Sequence, residues 1–196
     1  MKPPRKSTAR NGKDNLRAAV FLDRDGTIIE DHGDLFEPLQ VVFFRDTITA
    51  LRLLCKHFDL FIVTNQSGVA KGSISLQDVE RVNSHVASYL TRYGVPIVET
   101  YVCPHERAAR CHCIKPNPYF LKRAEADFGI DLKRSFVIGD HPHDVELAAS
   151  VGAIGIYVLS GHGMEHRSEI SVDTVVTQGI REAAEYILKR AVHAED

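Results

Sequence analysis

Ala18-Ala19-Val20-Phe21-Leu22-Asp23-Arg24-Asp25-Gly26-Thr27 is the stretch on which the reading of the whole chain turns. Five apolar residues run without a break and then stop at two carboxylates, a glycine and a hydroxyl. An unbroken apolar run of this length fits a strand buried on both faces, as in a parallel sheet, with polar residues emerging at its carboxyl end. The form repeats downstream. Leu60-Phe61-Ile62-Val63 runs into Thr64-Asn65-Gln66-Ser67-Gly68, Ile97 to Val102 into Cys103, and Ser135-Phe136-Val137-Ile138 into Gly139-Asp140, and a fifth run spans Ile154 to Leu159. Between these runs the apolar period changes to that of a helix. Ile48, Leu51, Leu54, Cys55 and Phe58 share one face, and Ser75-Leu76-Gln77-Asp78 has the form of a capping box. It leads Leu76, Val79, Val82, Val86 and Leu90 along another face, with Gly94 as the stop. Phe120 to Phe128, Val145 to Val151 and Ile180 to Val192 also read as helices. Strands alternating with helices predict an α/β fold, a three-layer doubly wound parallel sheet covered on both faces. Ligands of such sheets sit beyond the carboxyl ends of the strands. Four segments therefore deliver polar groups to one edge: Asp23 and Asp25, Thr64 and Asn65, Cys103 and His105, and Gly139 and Asp140.

With 196 residues, 44% hydrophobic and 26% charged, the chain can bury one domain-sized core, which excludes a disordered protein. No apolar run reaches the length of a membrane-spanning helix, and a net charge of −2 gives no reason to expect a nucleic-acid or anionic-membrane surface. Residues 1–17 carry six basic side chains against one acid and almost nothing apolar. They read as a solvated, disordered tail ahead of a single domain over 18–196. That stretch lacks the apolar core of a secretory signal, and four cysteines are too few for a disulfide scaffold; both point to a reducing, cytoplasmic setting. No internal repeat appears, and the region after Gly161 carries no recognisable motif.

Asp23 and Asp25 stand two apart where a strand gives way to a loop, so both side chains can turn to one ligand, and Gly26 permits a sharp turn with exposed N–H groups. Asp140, with Asp144 four residues on, follows another strand. Carboxylates gathered this way repel one another unless a cation sits among them, and an all-oxygen set favours a hard divalent ion such as magnesium. Helix capping is the plainer reading for Asp144, and it leaves the Asp23–Asp25 pair unexplained.

Cys103-Pro104-His105, five residues, then Cys111-His112-Cys113 place three thiols and an imidazole within eleven positions. That set suits a closed tetrahedral zinc site stapling a loop too short to fold alone. A disulfide or free thiols are the alternatives. His112 reads as a bystander and Cys55 as a core residue.

Asp23-Arg24-Asp25-Gly26-Thr27, Thr64-Asn65-Gln66-Ser67-Gly68, Lys115-Pro116 and Gly139-Asp140 occur in the order and at the distances of the haloacid dehalogenase (HAD) superfamily, and the match covers about Ala18 to Gly163. More narrowly, the chain resembles the small capless phosphatases acting on D-glycero-D-manno-heptose 1,7-bisphosphate and on histidinol phosphate. The resemblance implies a HAD-like Rossmannoid sheet with no large cap domain and a zinc-binding loop. Asp23 is then the nucleophile that forms an aspartyl-phosphate. Asp25 protonates the leaving alkoxide and later takes a proton from water. Thr64 and the N–H groups of Asn65, Gln66 and Ser67 cradle the phosphoryl oxygens, and Lys115 neutralises their charge. Magnesium is held by Asp23, the Asp25 carbonyl and Asp140, and zinc by Cys103, His105, Cys111 and Cys113.

Two positions depart from the pattern. Ile114 stands where those relatives have an arginine before the motif lysine, and His141 stands where they tend to have a lysine or arginine. A histidine there suggests substrate affinity that varies with pH. The acidic loop through Asp31 and Asp34 would face the substrate and suit a cationic or hydroxyl-rich leaving group; a solvated turn is the alternative. Specificity then falls to three loops: 31–38, 66–74 and the zinc loop. The expected activity is hydrolysis of a small phosphomonoester in carbohydrate metabolism, a heptose-bisphosphate-like sugar phosphate ahead of histidinol phosphate. From another class, a phospho-acceptor signalling module is disfavoured by Asp25, and a zinc-stapled binding module by the intact motif set. Net charge opposes a polynucleotide phosphatase. Oligomeric state is not legible.

Overall fold

The structure, a computed structural model, describes residues 16–192. All but the last two residues of the basic stretch 1–17 lie outside them, as do residues 193–196. Arg17 is held: its N–H donates to the Gly129 carbonyl (3.2 Å), its own carbonyl accepts from Asp131 N–H (2.9 Å), and its guanidinium pairs with Asp59.

Six strands form one sheet: β1 (Ala19–Leu22), β2 (Asp59–Asn65), β3 (Glu99–Cys103), β4 (Phe136–Gly139), β5 (Ile154–Val158) and β6 (Val175–Thr177). Their order is β3-β2-β1-β4-β5-β6, and every pairing is parallel. In this doubly wound order the chain reverses direction across the sheet between β1 and β4, so a crevice opens at their carboxyl ends.

Alternation along β1 divides the core in two. Val20 and Leu22 face one layer, built by α1 (Thr47–Leu54), α3 (Leu76–Arg92) and α6 (Ile180–Val192) with Leu51, Leu54, Val82, Val86, Ala183 and Ile187. Ala19 and Phe21 face the other, built by α4 (Tyr119–Phe128) and α5 (Pro142–Val151) with Phe120, Leu121, Ala124, Leu147 and Ala148. The three layers match the expectation. At the head of α3, Ser75 Oγ accepts from Asp78 N–H at 3.1 Å while the Asp78 carboxylate accepts from Ser75 N–H at 2.8 Å, the reciprocal capping box.

No cap domain interrupts the fold. Between Gly26 and Asp46 there is a loop with two isolated bridges and a single 3₁₀ turn, Pro38–Gln40. The short helix α2 (Gly68–Lys71) follows β2. β6 and α2 were not legible in the sequence, because three and four residues are too few to show a period. No helix among the described residues is long and apolar enough to cross a membrane.

Candidate active site

Four strand ends converge at the crevice. Asp23, just past β1, extends the ladder by donating its N–H to the Ile138 carbonyl of β4 at 2.9 Å. Asp140 follows β4, and Asp144 lies in the first turn of α5. Carboxylate oxygens of Asp23, Asp140 and Asp144 lie within 4.8 Å of one another, and all three residues are buried. The Lys115 ammonium reaches into this group, paired with Asp23 and, at 2.7 Å, with Asp144.

The electrostatics follow from that crowding. Burial pushes Asp23 well above the usual carboxylate range; Lys115 pulls it down, while Asp144, Asp140 and Asp25 push it further up. Burial and then Asp144 raise Asp140 to about 6. Burial works against the Lys115 ammonium, but Asp144 and Asp23 outweigh it and hold its pKa above the ordinary lysine value. Three carboxylates against one ammonium leave two negative charges uncompensated, the charge of one divalent cation. An oxygen-only, buried, convergent set of this kind suits magnesium.

Asp25 sits apart from that cluster. Its carboxylate accepts from Arg24 Nε and Nη2 (3.0–3.1 Å) and from Gln66 Nε2 at 2.8 Å. The Gln66 amide also donates to Thr64 Oγ1 at 2.8 Å, so its side chain serves the carboxylate and the threonine. Asn65 Oδ1 accepts from Lys115 N–H at 3.3 Å, tying the loop after β2 to the lysine segment. Ser67 precedes α2, without a side-chain capping bond, and lines the same cavity.

That cavity, of about 570 Å³, is lined by every catalytic and substrate-binding residue named from the sequence: Asp23, Asp25, Asp31, Thr64, Asn65, Gln66, Ser67, Lys115 and His141. Asp31 accepts from Gly33 N–H (2.8 Å) and lies 3.4 Å from His162 Nδ1. His141 lines the cavity and also caps α5, its Nδ1 accepting from His143 N–H at 3.4 Å. Burial, with neighbouring His143, lowers its pKa to about 4.

The loop after β5 contributes more than the sequence reading found. His162 N–H donates to Asp140 Oδ2 at 2.9 Å, and Ser160 Oγ donates to the Gly26 carbonyl at 2.7 Å. Gly26 (φ +78°) and Gly161 (φ +55°) close on Asp140 from two sides; a Cβ on either would stand 2.0 or 2.2 Å from Asp140 Oδ2. The available signal was Ser160-Gly161-His162 directly after a predicted strand. Asp144 carries both of its readings at once: one oxygen accepts from His141 N–H at 3.2 Å as a cap, the other holds Lys115.

Ile114 is buried among Cys103, Cys113 and Phe120, and also forms part of the cavity wall. Besides Lys115, the lysine and arginine side chains lining the cavity among the described residues are Lys71 on α2 and Arg107 on the cysteine loop. In that loop the sulfurs of Cys103, Cys111 and Cys113 stand 3.3–3.6 Å apart, and His105 Nδ1 lies 3.2 Å from Cys113 Sγ. A disulfide needs about 2.05 Å, so no pair is bonded. Four donors facing one point, with sulfur edges close to the ~3.8 Å of a tetrahedron around zinc, suit that metal. His112 lies outside the set, edge-on to Tyr119.

Comparison with known proteins places this geometry in context. A HAD-hydrolase-like family model matches residues 112–183. A probable D-glycero-D-manno-heptose-1,7-bisphosphate 7-phosphatase of Thermoplasma acidophilum is 38% identical over 68% of this chain and 84% of its own length. The D-glycero-beta-D-manno-heptose-1,7-bisphosphate 7-phosphatase of Yersinia pestis is 34% identical over 81% of this chain and 89% of its own. Among solved structures, the D,D-heptose 1,7-bisphosphate phosphatase of B. bronchiseptica superposes with a TM-score of 0.81 at 24% identity, over 88% of this chain and 99% of that one.

Proposed function

The chain belongs to the HAD-like hydrolases and is a phosphatase, and from that premise we propose that it hydrolyses a phosphomonoester of a small sugar, a heptose bisphosphate or a close analogue, through an aspartyl-phosphate on Asp23. The single observation carrying this reading is Asp23 itself. It is a buried carboxylate at the switch point of the sheet, paired with Lys115 and opening onto a cavity whose second carboxylate, Asp25, stands two residues away.

In the first step an Asp23 oxygen attacks phosphorus, the bond from phosphorus to the leaving oxygen breaks, and that oxygen takes the proton of Asp25. In the second, water attacks phosphorus and gives its proton to the Asp25 carboxylate. The Asp23–phosphorus bond breaks, releasing inorganic phosphate and restoring both side chains. Lys115 and the N–H groups following Thr64 stabilise the transferring oxygens. Asp23, Asp140 and the Asp25 carbonyl would hold magnesium, which supplies positive charge opposite the phosphoryl group. Cys103, His105, Cys111 and Cys113 would hold a structural zinc. With four protein ligands that ion would have no open position for substrate, and its contribution would be to hold the loop. Reduced thiols suit a cytoplasmic setting.

The sugar assignment rests on the relatives' names together with the cavity mouth. Asp31 and His162 offer hydrogen bonds to hydroxyls, while Lys71 and Arg107 can receive a second anionic group even with Ile114 in the wall. A panel of phosphorylated metabolites with magnesium tests the reading. Sugar bisphosphates are expected to be turned over best; preference for histidinol phosphate would move the assignment to that alternative.

A further inference from the structure

Arg24, the residue between the two aspartates, has no exposed surface and is the largest fully buried side chain among the described residues. A buried guanidinium is costly unless every nitrogen finds an acceptor. Here each does. Nε lies 3.1 Å from both Asp25 oxygens, Nη2 lies 3.0 Å from Asp25 Oδ1, and Nη1 donates to Asn83 Oδ1 at 2.7 Å. Arg24 is the side-chain hydrogen-bond partner of Asn83 among the described residues. Asn83 is the sole polar member of the buried face of α3, otherwise Val79, Val82, Val86 and Leu90.

The chain of contacts therefore runs from the helix through Asn83 and Arg24 to the Asp25 carboxylate. Gln66 Nε2 closes on Asp25 Oδ2 from the opposite side at 2.8 Å. A free aspartate would sample several rotamers; one gripped edge-on by a planar guanidinium and braced by an amide keeps one. General acid–base catalysis depends on such placement, because the proton must meet the leaving oxygen within hydrogen-bond reach.

We propose that Arg24 and Asn83 are positioning residues for the proton transfers of Asp25: Asn83 fixes the guanidinium, and the guanidinium fixes the carboxylate toward the leaving group. The inference rests on the reading of Asp25 as proton donor given above. Neither residue lines the cavity. Their effect should scale with how much the leaving oxygen needs a proton, which a purely structural staple would not do.

The test compares two esters by kcat/KM, which reports events up to departure of the leaving group: p-nitrophenyl phosphate, whose phenolate leaves unassisted, and the best sugar phosphate of the panel, whose alkoxide needs the proton. In Arg24→Met the sugar ester is expected to lose about 100-fold more than the aryl ester. In Asn83→Leu the same selectivity appears at about tenfold. Equal losses on both esters, or no loss on either, in variants that keep the wild-type melting temperature would overturn the proposal. If Arg24→Met does not fold, Asn83→Leu decides alone. Asp25→Asn separates the two levels of the argument. Selective loss there without selectivity in the Arg24 and Asn83 variants defeats only the positioning role. Equal loss of both esters in Asp25→Asn defeats the reading of Asp25 itself.

Discussion

The carboxylate cluster and the cysteine loop solve opposite problems. Asp23 is brought to Asp140 and Asp144, more than a hundred positions further along the chain, by the pairing of β1 with β4. Cys103, His105, Cys111 and Cys113 lie within eleven positions, on a segment whose only regular structure is the end of β3 and the 3₁₀ turn Arg107–Ala109. The first site concentrates charge on the sheet; the second, read as a zinc site, would be a loop whose order depends on its ligands' common partner. Metal should therefore matter for chemistry at one and for folding at the other.

The sharpest way to break that distinction is Asp23→Asn. Turnover is expected to fall at least about 1,000-fold, while the melting temperature holds or rises because a crowded negative charge is gone. Steady-state kinetics and thermal denaturation on one preparation check it, and a large loss of stability would mean the cluster is a structural site.

Cys103→Ser should do the reverse. Losing one ligand of a closed site removes about 3–4 kcal/mol or more, about 10 °C in a chain of this size. Zinc content by elemental analysis should fall with it, and the surviving folded fraction should keep phosphatase activity within about tenfold. Unchanged stability would remove the staple from the account.

A smaller effect sharpens the charge argument. Burial and Asp144 raise the folded pKa of Asp140 to about 6. The metal-free fold thus holds a proton more tightly than the unfolded chain. That contribution is complete below the ordinary carboxylate range and disappears as pH rises through 6. Magnesium competes with the same proton. Its stabilisation at fixed concentration should grow between about pH 5 and about pH 7.5, by about 5 °C in thermal shift. A constant shift across that range would place the ion elsewhere.

The same contrast governs what could be read from sequence. Signals contained in one short stretch were legible: the apolar run into Asp23 and Asp25, the Ser75–Asp78 cap, and the crowded cysteines. Thr64, Lys115 and Asp140 became legible through the order of the motifs. Contacts that exist only once distant segments pack were not. Nothing local tells that His162 N–H supports Asp140, that Asp144 grips Lys115, or that Asn83 is polar on Arg24's account. His141 shows the converse: its residue type suggests titration near neutral pH, and burial, which the sequence does not show, pushes its pKa down. β6 pairs only with β5 at the sheet edge, and its three residues carry no period of their own.

The covalent role proposed for Asp23 is open to direct trapping. Enzyme turning over its best substrate with magnesium is quenched in acid and reduced with borohydride, which converts an aspartyl-phosphate to homoserine, and the peptides carrying positions 23, 25 and 140 are sequenced by mass spectrometry. Homoserine at position 23, appearing only when substrate was present, is the predicted result; an unmodified Asp23, or homoserine at position 25 or 140, would contradict it.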